Sequence, residues 1–402
     1  MQSRKVTEIF AAPGNAGTAR IAHNLAIKQN DMAALVKAAE QNRIDLTVVG
    51  PEDPLAEGIV DRFQAAGLRI FGPTRAAATI ESNKVFAKEF MQKYGIPCAR
   101  SASFSSYQSA REYIQKKGAP LVVKAGGLTA GKGVFMAETA GQALEALSSI
   151  MEAKAFGSAG DSVVIEEWLT GREMSAFIIT DGHHILPVVP ACDYKKVYDG
   201  DKGPNTGGMG SYSPPYFLTP ELAESVHSTI MEPAVRAMER EGKRYQGVLY
   251  GGLMITDRGL QVLEFNARFG DPECQVILPR LKSDLLDIIM AVTEGKLAGV
   301  KAEWSDDACV GVAMTPGGYP GSYQTGFPVT GLDDVDRDIM VFHAGTRVGT
   351  KPGEVLTSGG RVLTVVAKGK TLAEARARVY ENISRIHFEG CHYRKDIALI
   401  KK

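Results

Sequence analysis

The chain has 402 residues, and its 46 Lys and Arg residues balance its 46 Asp and Glu residues. A chain of this length folds into roughly two to four domains, and its 44% of hydrophobic and 23% of charged residues exclude long disorder. The formal net charge of 0 disfavours a nucleic-acid-binding protein, which usually carries a basic excess. We therefore expect small-molecule partners and no nucleic acid.

The five cysteines are odd in number, scattered and free of CxxC spacing, so neither a disulfide framework nor a zinc ribbon is indicated. This usage is typical of a reducing compartment. No run approaches the ~18 apolar residues of a membrane span, and the opening MQSRKVTEIF lacks the apolar core of a secretory signal. We expect a cytoplasmic protein with no membrane partner.

The first part of the chain alternates short apolar strands with helical patterns. The predicted strands cover residues 5–11, 44–50 and 68–72, and the predicted helices cover residues 31–42 and 54–66. This βαβ pattern predicts a parallel sheet covered by helices, with ligands bound at the carboxyl ends of the strands. Such a domain normally opens with an apolar strand that leads into a Gly-rich turn, whereas this chain opens with polar residues. We therefore expect the opening strand to be missing.

The rest of the chain mixes helices and strands. A helix over 83–94 precedes a small α+β region between 120 and 185, which has one helix near 141–153. The Gly- and Pro-rich stretch 200–216 is expected to be an irregular functional loop. The later predicted elements are a helix over 219–241, strands over 247–255, 260–265, 309–314 and 361–367, and a helix over 371–385.

A glycine-rich hairpin is the first candidate for ligand binding. Gly126, Gly131 and Lys132 come close to the Walker A pattern, but Gly133 stands where Ser or Thr should bind magnesium, and the sequence that follows favours a strand and not a helix. The hairpin backbone can still approach a polyphosphate closely, with Lys124 and Lys132 supplying positive charge. A flexible surface hairpin explains the same glycines equally well.

The segment VLEFNARFGDPE is a stronger candidate. Glu264, Asn266 and Arg268 lie on one face if the strand continues that far, because side chains alternate with a period of two. A carboxylate and an amide oxygen can hold Mg²⁺, which shares its oxygen ligands with substrate phosphates, and Arg268 could bind a phosphate or carboxylate in bidentate fashion. The alternative is a solvated strand end, although residues 270–273 add two more carboxylates.

A third candidate lies in VVIEEWLTGREM. Glu173 follows the turn at Gly171 and could accept the ribose hydroxyl groups of a nucleotide, although an exposed acid in an ordinary hairpin fits the spacing as well. The seven histidines show no metal-ligand spacing. A GxSxG nucleophile motif is also absent, so nucleophilic hydrolysis has no support.

Taken in order, the strand with Lys124, the Gly-rich hairpin, the EEWL segment, GPNTGGMGSYSP and EFNARFGDPE resemble the ATP-grasp ligases. Within them the chain is most similar to the phosphoribosylamine-glycine ligase family. APGNAGT, IDLTVVGPEDPL, RIFGPT, GGYPGSYQTG, VFHAGT, GGRVL and YRKDI resemble further family segments, so the resemblance spans nearly the whole chain.

The resemblance implies a multidomain protein of mixed α/β and α+β class. It implies a truncated βαβ N-terminal domain at 1–82, an ATP-grasp body at 83–303 with a lid at about 102–170, and a C-terminal mixed α/β domain at 304–402. The implied reaction joins glycine to 5-phosphoribosylamine through glycyl phosphate, using ATP and Mg²⁺ or Mn²⁺, in de novo purine biosynthesis. A cytoplasmic monomer is expected.

The resemblance also implies roles for particular residues. Glu264 and Asn266 match the metal ligands of the family, and Arg268, Asp193 and Lys195 match catalytic positions. The implied ATP contacts are Lys84, Lys124, Gly131, Lys132, Glu166 and Glu173. The implied substrate contacts are Asn205, Thr206, Gly207, Gly208, Met209 and Gly210.

Three positions depart from the family pattern. Gly126 stands where the family usually has Asp, Tyr194 where it has His, and Gly252 where many ATP-grasp enzymes have an acid. Two alternatives therefore stay open. The protein could be an ATP-grasp ligase for a different carboxylate, or a nucleotide-binding pseudoenzyme without turnover, because the family's first strand and its GNGGREH turn are not found.

The missing turn generates a first prediction. That turn helps to hold the ribose phosphate in the family, so its loss should weaken 5-phosphoribosylamine binding and expose apolar neighbours. We expect the chain as given to be impaired, and an added upstream βα segment to raise its turnover or stability. Steady-state rates of the two chains test this, and equal turnover would contradict it.

Overall fold

A computed structural model describes residues 3–129 and 131–400. Met1 and Gln2, before which the sequence analysis expects a further strand, lie outside the described residues. Within those residues, none of the helices combines the length and the apolar character that a bilayer crossing requires. The three regions that position the candidate site are an N-terminal region, a lid and one long antiparallel sheet.

The N-terminal region has the predicted alternation of strands and helices. Its strands form two separate parallel pairs, β1 with β2 and β3 with β4. The single helix predicted over 54–66 is wrong, because Gly58 adopts a left-handed conformation (φ +90°) that ends one helix and begins another. The elements are β1 (Phe10–Ala11), β2 (His23–Asn24), α1 (Met32–Gln41), β3 (Thr47–Val48), α2 (Glu52–Glu57), α3 (Ile59–Ala65), β4 (Ile70–Phe71) and α4 (Arg75–Ser82).

The lid is a four-stranded antiparallel sheet in the order β5-β8-β6-β7. Two helices cover it, and the lid has its own apolar core, which includes Val123, Leu147 and Ile165. A separate core allows the lid to move as a unit. The elements are α5 (Lys84–Tyr94), which leads into the lid, and β5 (Ser101–Phe104), α6 (Tyr107–Lys117), β6 (Leu121–Ala125), β7 (Val134–Ala137), α7 (Ala140–Met151) and β8 (Val163–Glu167).

The body and the C-terminal region share one nine-stranded antiparallel sheet in the order β15-β14-β9-β10-β13-β16-β20-β17, with β21 also paired to β16. The body elements are β9 (Arg172–Thr180), β10 (Ile185–Asp193), β11 (Lys196–Tyr198), β12 (Lys202–Asn205), β13 (Gly210–Ser213), α8 (Pro220–Val226), α9 (Glu232–Arg240), β14 (Gly247–Thr256), β15 (Gly259–Asn266), α10 (Cys274–Ile277) and α11 (Leu285–Thr293). The C-terminal elements are β16 (Ala308–Pro316), β17 (Met340–His343), β18 (Thr346–Val348), β19 (Val355–Thr357), β20 (Leu363–Gly369), α12 (Leu372–Ile383) and β21 (Cys391–His392).

The stretch 200–216 is less irregular than the sequence predicts. It contains β12 and β13, and β13 lies fully buried between β10 and β16. The glycine content conceals this strand, yet the packing requires it, because a Cβ on Gly210 would lie 2.5 Å from the carbonyl oxygen of Gly311. Residues 206–209, between the two strands, remain as a loop, and residues 200–201 and 214–216 flank the strands without regular structure.

Arg394 fixes the C-terminal end of the chain to the body. Its side chain is fully buried, and its guanidinium donates to Asp396 (2.7 Å), to Asp201 (2.9 Å) and to the carbonyl oxygen of Lys196 (2.9 Å). It also stacks on the ring of Tyr194, 4.8 Å from the centroid.

We expect Arg394→Met to lower the free energy of unfolding by about 3 kcal/mol, because it removes the buried guanidinium that pairs with Asp396 and donates to the part-buried carbonyl oxygen of Lys196. Urea unfolding followed by circular dichroism measures the change. Lys395→Met is the matched control, since Lys395 is exposed and its side chain makes no hydrogen bond or ion pair with the described residues. Equal stability of the two variants would contradict the assignment.

Candidate active site

The end of β15, at the edge of the long sheet, lies where the sheet meets the lid, and we call the space that they border the cleft. Glu264 and Asn266 lie on one face of this strand, opposite Gly252 and Tyr250 of β14. Neither Glu264 nor Asn266 makes a side-chain hydrogen bond or ion pair within the part of the chain that is described. Their oxygens are therefore free to accept an external cation or donor.

Glu264 is kept ionised by the lysines around it. Burial would raise the pKa of its carboxyl, but the charges of Lys124, Lys84 and Lys195 outweigh that effect and lower the pKa. An anionic oxygen surrounded by cations suits a ligand that carries both a metal ion and phosphates.

The protein alone does not supply a complete metal site. In residues 3–129 and 131–400, groups of three or more His, Cys, Asp or Glu side chains able to hold a metal are absent. A carboxylate and an amide oxygen two residues apart nevertheless fit Mg²⁺ or Mn²⁺, because such ions take the remaining oxygens from phosphates and water. The donor set therefore fits a metal that arrives with a nucleotide.

A buried ion cluster lies beside this floor. Glu166 of β8 lies 3.0 Å from the Nζ of Lys124 of β6 and 3.1 Å from the Nζ of Lys88 of α5. Both lysines also donate to the carbonyl oxygen of Leu263, next to Glu264. The Glu166 carboxylate is thus engaged by two cations. Lys88 was not identified from the sequence, since a single lysine in a helix carries no signal.

The glycine hairpin is held at its base and reaches over the cleft. Lys84 donates from Nζ to the carbonyl oxygen of Gly127 (2.8 Å) and from its backbone to Gly126 (2.7 Å). At the tip, an ideal Cβ on Gly131 would lie 4.0 Å from the carbonyl oxygen of Thr206. Lys132 is exposed beside it. The predicted nucleotide contacts of the hairpin therefore lie on the lid side of the cleft.

Lys195 joins two acids on the opposite wall. Its Nζ lies 2.9 Å from both carboxylate oxygens of Asp193 and 3.1 Å from Glu173. Burial would lower the pKa of Lys195, but the attraction of Asp193 and Glu173 outweighs it and raises the pKa well above the usual value. The structure thus brings three of the predicted residues into one cluster.

A second carboxylate lies beneath this cluster. Glu273 is buried and accepts hydrogen bonds from Ser175 (3.0 Å) and Tyr250 (2.8 Å). Burial and the negative charge of Asp193 raise its pKa. The sequence indicates the acids of GDPE but no role for Glu273, because its partners Ser175 and Tyr250 come from strands that are distant in sequence.

The glycine loop 206–209 is held by the C-terminal region. Arg361 donates to the carbonyl oxygen of Gly207 (2.8 Å) and forms a two-pronged ion pair with Asp271. The backbone amide of Gly207 donates to the Tyr319 hydroxyl (3.2 Å). Neither Arg361 nor Tyr319 was identified from the sequence, although both lie in segments that carry the family resemblance.

The other residues of the predicted substrate segment are placed in different ways. Thr206 donates from its hydroxyl to the carbonyl oxygen of Lys195 (2.8 Å), next to the acidic cluster. The side chain of Met209 is fully buried. Asn205 ends β12, and Gly210 begins β13. Only part of the segment therefore faces the cleft.

Arg268 is engaged by the N-terminal region. Its Nε donates to Glu52 (2.7 Å), its Nη2 lies 3.2 Å from Glu81, and its Nη1 donates to the carbonyl oxygen of Phe269. Glu81 in turn accepts the backbone N–H of Ala267 (2.7 Å). In this structure the guanidinium joins two domains, and a phosphate would have to compete with two carboxylates for it.

Glu167 fixes the hinge between the lid and the body. It accepts hydrogen bonds from the backbone and side chain of Arg100 (2.9 and 3.0 Å) and from Arg258 (2.9 Å). Burial would raise the pKa of Glu167, but these hydrogen bonds outweigh it and lower the pKa to about 2.

Comparison with known proteins agrees with this architecture. Family models of phosphoribosylglycinamide synthetase match three consecutive parts of the chain: the N domain at residues 1–81, the ATP-grasp (A) domain at 82–274 and the C domain at 309–400. The resemblance and the fold class predicted from the sequence are thereby confirmed.

Individual relatives extend the match over nearly the whole chain. The phosphoribosylamine–glycine ligase of Caldanaerobacter subterraneus subsp. tengcongensis is 49% identical over 397 residues, covering 99% of this chain and 94% of that protein. The crystal structure of the Thermotoga maritima phosphoribosylamine–glycine ligase has a TM-score of 0.83 at 32% identity and covers 97% of this chain and 94% of its own.

A more distant structure shares the fold alone. The biotin carboxylase domain of the Hydrogenobacter thermophilus 2-oxoglutarate carboxylase, crystallised with ADP, magnesium and bicarbonate, has a TM-score of 0.72 at 14% identity. It covers 95% of this chain and 84% of that chain.

The hinge generates a prediction about pH. Because the pKa of Glu167 is depressed in the folded state, its contribution to stability is present above pH 4.5 and is lost as the pH falls towards 2. We expect Glu167→Gln to lower the free energy of unfolding by about 2 kcal/mol at pH 7, and this difference to shrink below pH 4.5.

Urea unfolding at several pH values measures the stability difference between Glu167→Gln and the wild type. Glu145→Gln is the control, because Glu145 is an exposed acid of α7 with no ion-pair partner in the described chain. A difference that stays constant between pH 7 and 3 would show that Glu167 does not act through its charge.

Proposed function

Because the chain belongs to the phosphoribosylglycinamide synthetase family, we propose that it joins glycine to 5-phosphoribosylamine, giving glycinamide ribonucleotide, ADP and phosphate. Glycine ligation in purine biosynthesis is the function of this family, and the protein is an ATP-grasp ligase. We also propose that the reaction passes through glycyl phosphate. The proposed domain boundaries lie at 82/83 and 303/304.

One observation supports the chemistry above the others. Within the described residues, the side-chain oxygens of Glu264 and Asn266 have no hydrogen-bond or ion-pair partner, and they face a cleft bordered by Lys84 of α5 and Lys124 of the lid. Such a site has an anionic centre for a metal and a cationic wall for phosphates. ATP phosphates would therefore lie between the floor and the lid, with the hairpin over them.

Glycine must be activated before it can react, because a carboxylate is a poor acylating agent. In the first step a glycine carboxylate oxygen attacks the γ-phosphorus of ATP, and the bond to the β–γ bridging oxygen breaks to leave ADP and glycyl phosphate. Lys84 and Lys124 would hold the transferring phosphates and offset their charge. A bound Mg²⁺ or Mn²⁺, held by Glu264 and Asn266, would further neutralise the phosphate oxygens.

The second step joins the two substrates. The amine of 5-phosphoribosylamine attacks the carbonyl carbon of glycyl phosphate, phosphate leaves, and the amine loses a proton. The cluster of Asp193, Lys195 and Glu173 offers both a cation for the acyl phosphate and carboxylates near the departing proton. The loop at Thr206 and Gly207 would hold the substrates against this cluster.

Glycyl phosphate and 5-phosphoribosylamine are both labile in water, so the cleft must close. The approach of Gly131 to Thr206 supports a lid that covers the phosphates during the reaction. All of these residues come from one chain, so we infer that a monomer suffices. The five free cysteines support a reducing compartment, and we infer the cytoplasm.

The proposal predicts the effect of one substitution. We expect Glu264→Gln to lower glycine-dependent ATP cleavage at least about 100-fold, because it removes the anionic oxygen that the metal requires. Phosphate release with ATP, magnesium, glycine and 5-phosphoribosylamine measures the rate. Asp257→Asn is the control, an exposed acid in the turn before β15. If Glu264→Gln kept wild-type activity, the assignment of Glu264 as a metal ligand would be contradicted.

A trapping experiment separates the proposal from its alternatives. Wild-type protein is incubated with ATP, magnesium, hydroxylamine and one amino acid at a time. We expect glycine hydroxamate from glycine only, because hydroxylamine captures an acyl phosphate. Another acid giving product would indicate a different ligase, and nucleotide binding without any product would indicate a pseudoenzyme.

A further inference from the structure

We propose that Lys88 is a positioning residue for nucleotide binding, which holds the buried Glu166 carboxylate so that Lys124 can leave it and reach the nucleotide phosphates. The inference rests on the proposed function only in taking Lys124 as a phosphate contact. Nothing in the proposed chemistry otherwise requires Lys88.

The three side chains form a closed charge cluster. The side chains of Lys88, Glu166 and Lys124 are 4%, 2% and 8% exposed, and they come from α5, β8 and β6. Two cations share one carboxylate, so either lysine alone can neutralise it. Within these three side chains one buried cation is in excess, which is unfavourable unless further acids offset it, as Glu264 and Glu173 do for Lys124.

The two lysines face different surroundings. Lys124 interacts with Glu264 and Glu173, which belong to the cleft, as well as with Glu166. Burial would lower the pKa of Lys124, but the attraction of Glu166 and Glu264 outweighs it and raises the pKa. For Lys88 burial dominates and lowers the pKa, and Glu166 is the single carboxylate that opposes this. Lys124 thus has acids of the cleft as further partners, whereas Lys88 pairs with Glu166, although both lysines donate to the carbonyl oxygen of Leu263.

Glu166 has capacity for a stronger bond. Its Oε1, the oxygen 3.1 Å from Lys88, is buried and accepts no hydrogen bond of good geometry. A small rotation would allow Lys88 to donate to it fully. When Lys124 moves towards a phosphate, the carboxylate then keeps a partner instead of remaining buried and unpaired, which would be strongly unfavourable.

Removal of Lys88 should therefore weaken nucleotide binding without touching the nucleotide. In Lys88→Met, Lys124 becomes the one partner of Glu166 and is held back from the phosphate. The double variant K88M/E166Q also lacks the carboxylate, so Lys124 can move to the phosphate without leaving a buried charge unpaired. The double variant should bind better than K88M, which a merely structural role of Lys88 would not produce.

Isothermal titration calorimetry with ADP and magnesium tests this on the full chain. We expect the Kd of K88M to rise about tenfold and the Kd of the charge-conserving K88R to stay within about threefold of wild type. E166Q is the reference for the double variant, and we expect the Kd values of E166Q and K88M/E166Q to lie within about threefold of each other. A wild-type Kd for K88M, or a double variant that binds no better than K88M, would overturn the inference.

Two further comparisons keep the test decisive. If K88M does not fold, as judged by thermal melting, the ADP affinities of E166Q and K88M/E166Q are compared directly. A difference in Kd above about threefold between them would overturn the inference.

The K124M variant separates this inference from the proposed function. Wild-type ADP affinity of K124M would refute the phosphate role of Lys124 itself, whereas weak binding by K124M together with unchanged binding by K88M would refute the role of Lys88 alone.

Discussion

The contacts of residues 263–273, at the end of β15 and just beyond it, constrain the whole cleft. The carbonyl oxygen of Leu263 accepts from the lid lysine Lys124, and the backbone N–H of Ala267 is bound by Glu81 of the N-terminal region. Asp271 pairs with Arg361 of the C-terminal region. The lid, the N-terminal region and the C-terminal region therefore all contact this short segment. Its two polar side chains that make no hydrogen bond or ion pair in the described chain are Glu264 and Asn266.

The charges around this segment are arranged in pairs that a ligand can exchange. Lys124 is held by Glu166, Lys195 by Asp193 and Glu173, and Arg268 by Glu52 and Glu81. Each cation is neutralised before a ligand arrives, which limits the cost of keeping it in a partly buried site. An anionic substrate must compete with these carboxylates, so affinity depends on how easily each carboxylate can find another partner.

The sequence was sufficient for the parts of the molecule that depend on local pattern. Strands with alternating side chains predicted Glu264 and Asn266 on one face, and β14 and β15 lie close to the predicted bounds. β13 was missed because it lies in a stretch rich in Gly and Pro, and its own Gly210, which close packing against β16 requires, carries no strand signal. Lys88, Glu273, Arg361 and Tyr319 were missed because their partners lie far away in sequence, and one sequence contains no direct record of such pairings.

The hydrogen bond from Arg361 to the carbonyl oxygen of Gly207 is another contact between segments that are distant in sequence. The glycines of the loop 206–209 have few backbone conformational preferences of their own. The conformation of the loop at the cleft is therefore fixed by Arg361, a side chain of the C-terminal region. Substitutions in the C-terminal region can thus change the shape of this loop while every residue of the cleft floor stays unchanged. In lineages where Arg361 is replaced, a compensating change at Asp271 would be the mark of that partnership.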